Sequence, residues 1–261
     1  MNGTMVLHGR SARAFGTDVR RGRSSNHREE RTHRTTVKNL IIAIDGPSGA
    51  GKGTLARTLA ERLGYRHVDT GAMYRSVAWK AVHDGLALDD DARVASLASR
   101  AVLAQQGGRI TIDGHDVTRD IRTPAMDSAA AMVARLPQLR EVLRARQREL
   151  GAGGGVVMEG RDIGTVVFPD ADMKIYLDAS AEERARRRAS DAAHTGADTS
   201  IAAVRSDLVA RDTSDSTRAV APLALAQDAI YIDTTEMPIE VVVNHVMMMM
   251  IDKLGGLPTP S

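Results

Sequence analysis

The chain has 261 residues, 43% hydrophobic and 26% charged, with a net charge of +2 and no cysteine, which describes a globular domain with a core of ordinary size. The absence of cysteine excludes disulfides and thiolate-held metals and predicts a reducing, cytoplasmic setting; no apolar run reaches the length of a membrane span. The eight histidines fall in no metal-ligand spacing, and aromatic residues, at 3%, are too few for base-stacking platforms.

Charge is unevenly spread. Residues 1–38 carry nine Lys/Arg against three acids, a net of +6, which leaves −4 for the remainder. A mildly acidic body does not read as a nucleic-acid binder. The basic head has few large apolar residues and no period, so a disordered extension is expected. It lacks the apolar stretch of a signal peptide; a transit peptide and an upstream start-codon misassignment are the alternative readings of its Arg-rich composition.

Regular structure is expected from residue 39. Leu40-Ile41-Ile42-Ala43-Ile44 is a short apolar run, as in a buried parallel strand. It runs into Gly46-Pro47-Ser48-Gly49-Ala50-Gly51-Lys52-Gly53-Thr54. Leu55, Leu59 and Leu63 then recur at helical spacing, and Gly64 closes the helix. A glycine-rich turn between strand and helix, with Gly-x4-Gly-Lys, is a phosphate loop: backbone N–H groups turn inward, the helix N-terminus adds partial positive charge, and Lys52 adds a full one. Gly53 stands where the general pattern has a Ser or Thr for magnesium, so Mg²⁺ is expected on phosphates and water, with Thr54 nearby and no assigned protein ligand.

A second strand is expected over 65–69 and helices over 72–83 and 92–103. Asp113-Gly114, between Ile110-Thr111-Ile112 and His115-Asp116-Val117, signals a β-hairpin. Helices over 124–134 and 137–150 follow. This αββαα block interrupts the βα alternation and reads as an inserted subdomain. Alternation resumes with strands at 155–158 and 173–177. Ser180 and Glu183 form a capping-box pattern before an Arg-rich helix. Residues 191–200 read as a mobile loop, Ile201, Val204 and Leu208 as a helix, 229–232 as the last strand, and Ile239, Val242, Val246 and Met250 as one face of the final helix. Met247 to Met250 are expected to pack. Five strands alternating with helices imply a three-layer α/β fold with a parallel five-stranded sheet.

Three clusters suggest what receives the phosphoryl group. Asp69-Thr70-Gly71-Ala72-Met73-Tyr74-Arg75 follows the second strand, where open α/β sheets place ligands, and Arg75 can clamp an acceptor phosphate. Glu159-Gly160-Arg161-Asp162-Ile163-Gly164-Thr165 follows another; an Asp can accept from a cytosine amine and an Arg can donate to its carbonyl and ring nitrogen. Arg184, Arg186, Arg187 and Arg188, each read singly as solvated, precede Arg211-Asp212, Asp215 and Arg218, which flank a segment able to close over phosphates.

Residues 46–54 and 69–75, the segment Gly-Arg-Asp-Ile-Gly-Thr-Val-Val-Phe-Pro-Asp-Ala (160–171) and residues 211–223 together resemble the bacterial cytidylate kinases, P-loop nucleoside monophosphate kinases, over about 40–251. The resemblance implies ATP and Mg²⁺ as donor and cofactor, CMP or dCMP as acceptor, a core of 39–75 and 151–261, an acceptor-binding insert at 76–150 and a lid at 192–218. It further implies an acceptor site of Asp69, Thr70, Tyr74 and Arg75, with Arg140, Arg161 and Asp162 on the base. Arg187, Arg211, Asp215 and Arg218 would hold phosphates or ribose, and Lys52, Arg75, Arg187 and Arg211 would carry catalysis. A monomer is expected, without membrane or nucleic-acid partners. The family usually has a serine six residues before Pro137; here Ala131 stands there, which implies either one hydrogen bond fewer to the base or its replacement by Ser128 after a shift. Three rival readings are a P-loop kinase of another acceptor such as AMP or shikimate, a non-catalytic nucleotide-binding protein, and an RNA-binding factor acting through the head.

Overall fold

The computed structural model describes residues 39–190 and 200–254. The basic head, and the 191–199 stretch with most of the expected loop and the start of the expected lid, lie outside the described residues.

The chain enters through β1 (Ile41–Asp45) and α1 (Lys52–Leu63), followed by β2 (Arg66–Asp69) and α2 (Thr70–His83). The middle of the chain holds α3 (Asp91–Arg100), β3 (Leu103–Gln106), β4 (Arg109–Ile112), β5 (His115–Asp116), α4 (Pro124–Val133) and α5 (Pro137–Gly151). Then come β6 (Val156–Glu159), a π-type turn at Ile163–Val167, β7 (Met173–Asp178), α6 (Ala181–Ser190), α7 (Ile201–Thr217), β8 (Ile230–Asp233) and α8 (Ile239–Leu254).

The main sheet has the order β2-β6-β1-β7-β8, every pair parallel. Alternate residues of a strand feed opposite layers. Ile42 and Ile44 of β1 pack with Leu55, Leu59 and Leu63 of α1 and Val242, Val246 and Met250 of α8. Ala43 and Met158 face the other layer, with Val77 of α2, Leu97 of α3 and Leu139 and Leu143 of α5. Ile239 and Met250 join the core, whereas Met248 faces outward. Each of the five strands ends on an acid: Asp45, Asp69, Glu159, Asp178 and Asp233. Their carboxylates therefore gather at the carboxyl edge, where ligands of such sheets bind.

The middle block differs from expectation in one element. The helix expected over 92–103 stops at Arg100, and Leu103–Gln106 forms a strand that pairs antiparallel with β4, Leu103 opposite Ile112. The small sheet thus has three strands. The hairpin stands as expected, with Asp113 and Gly114 at φ 49° and 80°, the two positive values that a tight two-residue turn needs. Gln105 of β3 anchors this sheet to the main one. Its side chain accepts from Asp69 N at 2.9 Å and donates to Asp69 O at 2.8 Å.

α5 begins at Pro137 with no cap from its own N-cap residue, Leu136. Asp91, the first residue of α3, supplies one instead, accepting from Gln138 N and Leu139 N at 3.0 and 3.1 Å. The capping box at Ser180 is half formed. Ser180 Oγ accepts from Glu183 N at 3.2 Å, but the Glu183 carboxylate turns to Arg186 and Arg187, and Ser180 N donates to Thr235.

Candidate active site

The phosphate loop leaves the carboxyl end of β1 and opens α1. Gly46 has φ 143°, and a Cβ on it would lie 1.9 Å from Leu177 O, so no other residue fits. Gly51 precedes α1 with no side-chain cap, and no acid lies in the first turn. The first N–H groups of the helix are thereby left for an anion. Lys52 is buried and donates to Pro47 O at 2.7 Å. Burial, helped by Arg161 and Arg211, pushes its ammonium down to about 7. A lysine this reluctant to hold its charge gains most from an incoming phosphate.

A cavity of about 640 Å³ spreads from this loop across the carboxyl edge of the sheet. Ser48, Gly49, Gly51, Lys52, Gly53 and Thr54 line it on one side. Gly46, Pro47 and Ala50, grouped with them in the sequence, do not: Gly46 backs onto β7, Pro47 serves Lys52, and the buried Ala50 turns its carbonyl to Thr234 and Arg187. Gly46 and Pro47 thus shape the loop, and Ala50 lines a second cavity described below.

Asp69, Thr70, Tyr74 and Arg75 line the opposite side. Asp69 caps α2 through Ala72 N at 2.8 Å and holds Arg75 at 3.1 Å. Burial would raise the Asp69 carboxyl, but Arg75 and the Ala72 N–H hold it below the usual value. Thr70 Oγ1 donates to Glu159 O at 2.7 Å, joining α2 to β6. Tyr74 is pushed up to about 12 by burial, against the pull of Arg140, whose guanidinium lies 5.7 Å from the ring centre.

Between these walls lies an ion-pair network. Asp162 binds Arg140 at 2.6 Å and Arg218 at 3.3 Å, and Asp215 binds Arg161 at 2.8 Å with Arg218 at 3.7 Å. These five groups come from α5, the 160–167 turn and the end of α7. Asp45 sets the position of that turn, accepting from Ile163 N and Gly164 N at 2.8 and 2.7 Å. Burial pushes the Asp45 carboxyl up to about 6, against the pull of those two N–H groups. Ala131 lines the cavity; Ser128 does not, and its hydroxyl donates to Pro124 O in its own helix at 3.2 Å. Of the two alternatives at this position, the placement of Ser128 favours one hydrogen bond fewer to the base.

The distal arginines divide. Arg187 of α6 donates to Glu183, to Thr234 Oγ1 at 2.9 Å and to Thr234 O. It lines both the main cavity and a second one of about 480 Å³ between the phosphate loop, α6 and the turn before α8. Arg211 of α7 reaches the main cavity and pairs with Asp127 at 3.1 Å. Arg184 is not solvated as the sequence suggested: it is buried and donates to Ser48 O, Ala179 O and Asp212, bracing the loop from behind. Asp45 and Asp127 were missed, and Arg184 was read as solvated. Only Asp45 carries a local hint, an acid directly before the phosphate loop.

The profile of the cytidylate kinase family matches residues 42–252. A cytidylate kinase from Desulfitobacterium hafniense (strain Y51) is 47% identical over 220 residues, 83% of this chain and 95% of that protein. One from Geobacillus sp. (strain WCH70) is 44% identical over 221 residues, 83% of this chain and 99% of that protein. Among solved structures, a shikimate kinase from Acinetobacter baumannii in complex with shikimate aligns with a TM-score of 0.45 at 15% identity, over 84% of this chain and 96% of that one.

Proposed function

The chain belongs to the cytidylate kinase family, an ATP-dependent nucleoside monophosphate kinase that phosphorylates CMP, and from this premise we propose how its residues divide the work and that dCMP is accepted as well. The observation that carries the assignment is the convergence of Lys52, Arg75, Arg140, Arg161, Asp162, Arg187, Arg211 and Arg218 on one cavity.

The acceptor lies on the side of Asp69, Thr70, Tyr74 and Arg75, with its base toward Arg140, Arg161 and Asp162 and its phosphate and ribose toward Arg75, Asp215 and Arg218. The triphosphate of ATP lies in the 46–54 loop. The second cavity, continuous with that loop through Gly51 and Thr54, takes the donor base. The block 76–150 is the acceptor-binding insert, and 192–218 is the lid, of which 200–218 is described. α2 passes unbroken through the 75/76 boundary, so the insert is carried rigidly on the helix that bears Arg75.

The reaction needs no general base, because the acceptor phosphate is already an anionic nucleophile at neutral pH. Catalysis is positioning plus neutralisation of charge by Lys52, Arg75, Arg187 and Arg211. The residues beside the loop fit Mg²⁺. A Cβ on Gly53 would lie 3.1 Å from Glu159 Oε1, so a buried carboxylate oxygen stands beside the place where other phosphate loops carry a hydroxyl, steadied by His67 at 3.0 Å. Glu159, with Thr54 alongside, would hold the ion chiefly through water. When bound, Mg²⁺ neutralises charge on the donor phosphates. The acidic body supports an enzyme without nucleic-acid partners, and the cysteine-free sequence supports a cytoplasmic one. Among the described residues no helix is long and apolar enough to cross a membrane.

The test is an ADP-release assay with ATP and Mg²⁺, comparing CMP, dCMP, UMP and AMP. Turnover with CMP and dCMP and little with AMP is expected. Lys52→Ala should stay folded and lose at least about 100-fold in kcat. Preferred turnover of AMP would overturn the base-site assignment, and near-normal turnover by Lys52→Ala the phosphate-loop one.

A further inference from the structure

Asp127 stands in the first turn of α4, four residues after the Thr123 cap. Its side chain is 14% exposed and meets guanidinium groups from three other helices. Arg211 of α7 lies at 3.1 Å, Arg75 of α2 at 3.9 Å, and Arg188 of α6 is in direct contact with the second carboxylate oxygen. All three arginines line the main cavity. Asp127 lines a smaller one, of about 430 Å³, between α4, α6 and α7, which shares Arg188 and Arg211 with the first. The carboxylate thus sits in the wall between them and grips the three cations from behind.

Three guanidinium groups drawn to one point repel one another. Arg211 shows it: burial lowers its pKa first, Arg161 and Arg75 lower it further, and Asp127 is the leading opposing influence. Convergent arginines need a compact, multiply accepting anion. Asp127 supplies one from within the chain, and the phosphate of a nucleotide has the same chemistry.

We propose that Asp127 is an internal phosphate surrogate, a positioning residue that gathers Arg75, Arg188 and Arg211 until the phosphate of a substrate displaces it. The proposal rests on reading Arg75 and Arg211 as phosphate-holding groups. It makes nucleotide binding an exchange of one anion for another. The arginines stay grouped at the site, and each phosphate first has to break the Asp127 contacts. A surrogate seated in about nine molecules of ten weakens apparent phosphate affinity about tenfold.

The test uses the full chain and orthophosphate as probe, with affinity read from the phosphate dependence of Tm. Asp127→Asn is expected to bind orthophosphate about tenfold more tightly than wild type and to lower the KM of CMP with little change in kcat. Asp127→Glu, which keeps the anion, should return both toward wild type. Asp207→Asn, which removes another acid of the smaller cavity, should stay within about twofold, as expected for a screened charge. Equal or weaker orthophosphate affinity in Asp127→Asn overturns the proposal, as does an equal gain in Asp207→Asn. If Asp127→Asn needs salt to fold, recovery specific to orthophosphate supports the proposal, and equal recovery with chloride at matched ionic strength overturns it. Absence of CMP turnover in wild type would sink the acceptor reading and leave the orthophosphate comparison standing. Normal turnover with no orthophosphate difference sinks the surrogate alone.

Discussion

The buried carboxylate at the end of β1 shapes the site without lining its cavity. Asp45 holds two backbone N–H groups of the turn that carries Arg161 and Asp162, and its pKa of about 6 places the change within reach of ordinary buffers. The folded value lies above the usual 3.8. Its contribution to stability is therefore full below about pH 3.8 and is lost as pH rises through 6. Function runs the other way. Once protonated, one oxygen becomes a hydroxyl and a weaker acceptor for its backbone N–H, so the turn slackens. The KM for CMP is expected to rise as pH falls below about 6. Asp45→Asn should raise it about fivefold at pH 7.5, equivalent to losing one hydrogen bond of roughly 1 kcal/mol, and flatten the profile near pH 6. A variant with an unchanged profile between pH 5 and 8 would assign the titration to another group. Residues with a local signature were legible beforehand: Lys52 in its glycine loop, Arg161 and Asp162 between glycines. Arg184 and Asp127 were not, because Ser48 and Arg188, which they meet, lie 136 and 61 residues away, and nothing local marks such a pair.

Among the elements, α5 depends on a neighbour for its start. Pro137 suits the first helical position, but the free N–H groups after it are closed by Asp91 of α3. Arg140 sits one turn in and carries the contact to Asp162. Asp91→Ala is expected to cost about 1 kcal/mol in denaturant unfolding, the usual value of a lost cap. It should also raise the KM for CMP with little effect on that for ATP, because only the acceptor side is loosened. Equal changes in both would show that α5 transmits no such effect. Helices with strong apolar spacing, α1 and α8, and the Asp-Gly hairpin were readable as they stand. β3 was not. Leu103 was read as the end of the preceding helix and 104–106 as no element, because the covered face of Leu103–Gln106 shows only once Ile112 and Ile110 lie across from it.

The molecule as a whole concentrates positive charge in one cleft over a sheet edge made of carboxylates. That arrangement is strained until phosphates arrive, so substrate should stabilise the fold strongly. CMP at about 100 times its Kd is expected to add roughly 2.7 kcal/mol, a rise in Tm of about 5–10 °C. Cytidine, lacking the phosphate, should give little, and both KM values should climb with ionic strength. An equal shift with cytidine would mean that base contacts, not the arginines, dominate binding.

The layered α/β architecture, the phosphate loop and the acceptor class were determined by the sequence alone, because strand and helix periods and the Gly-Lys and Gly-Arg-Asp motifs act over a few neighbouring residues. Which strands adjoin, which arginines are buried, and that Asp127 faces three of them were decided only by the tertiary structure. A charge is solvated or paired according to what folds against it, and those partners come from distant parts of the chain.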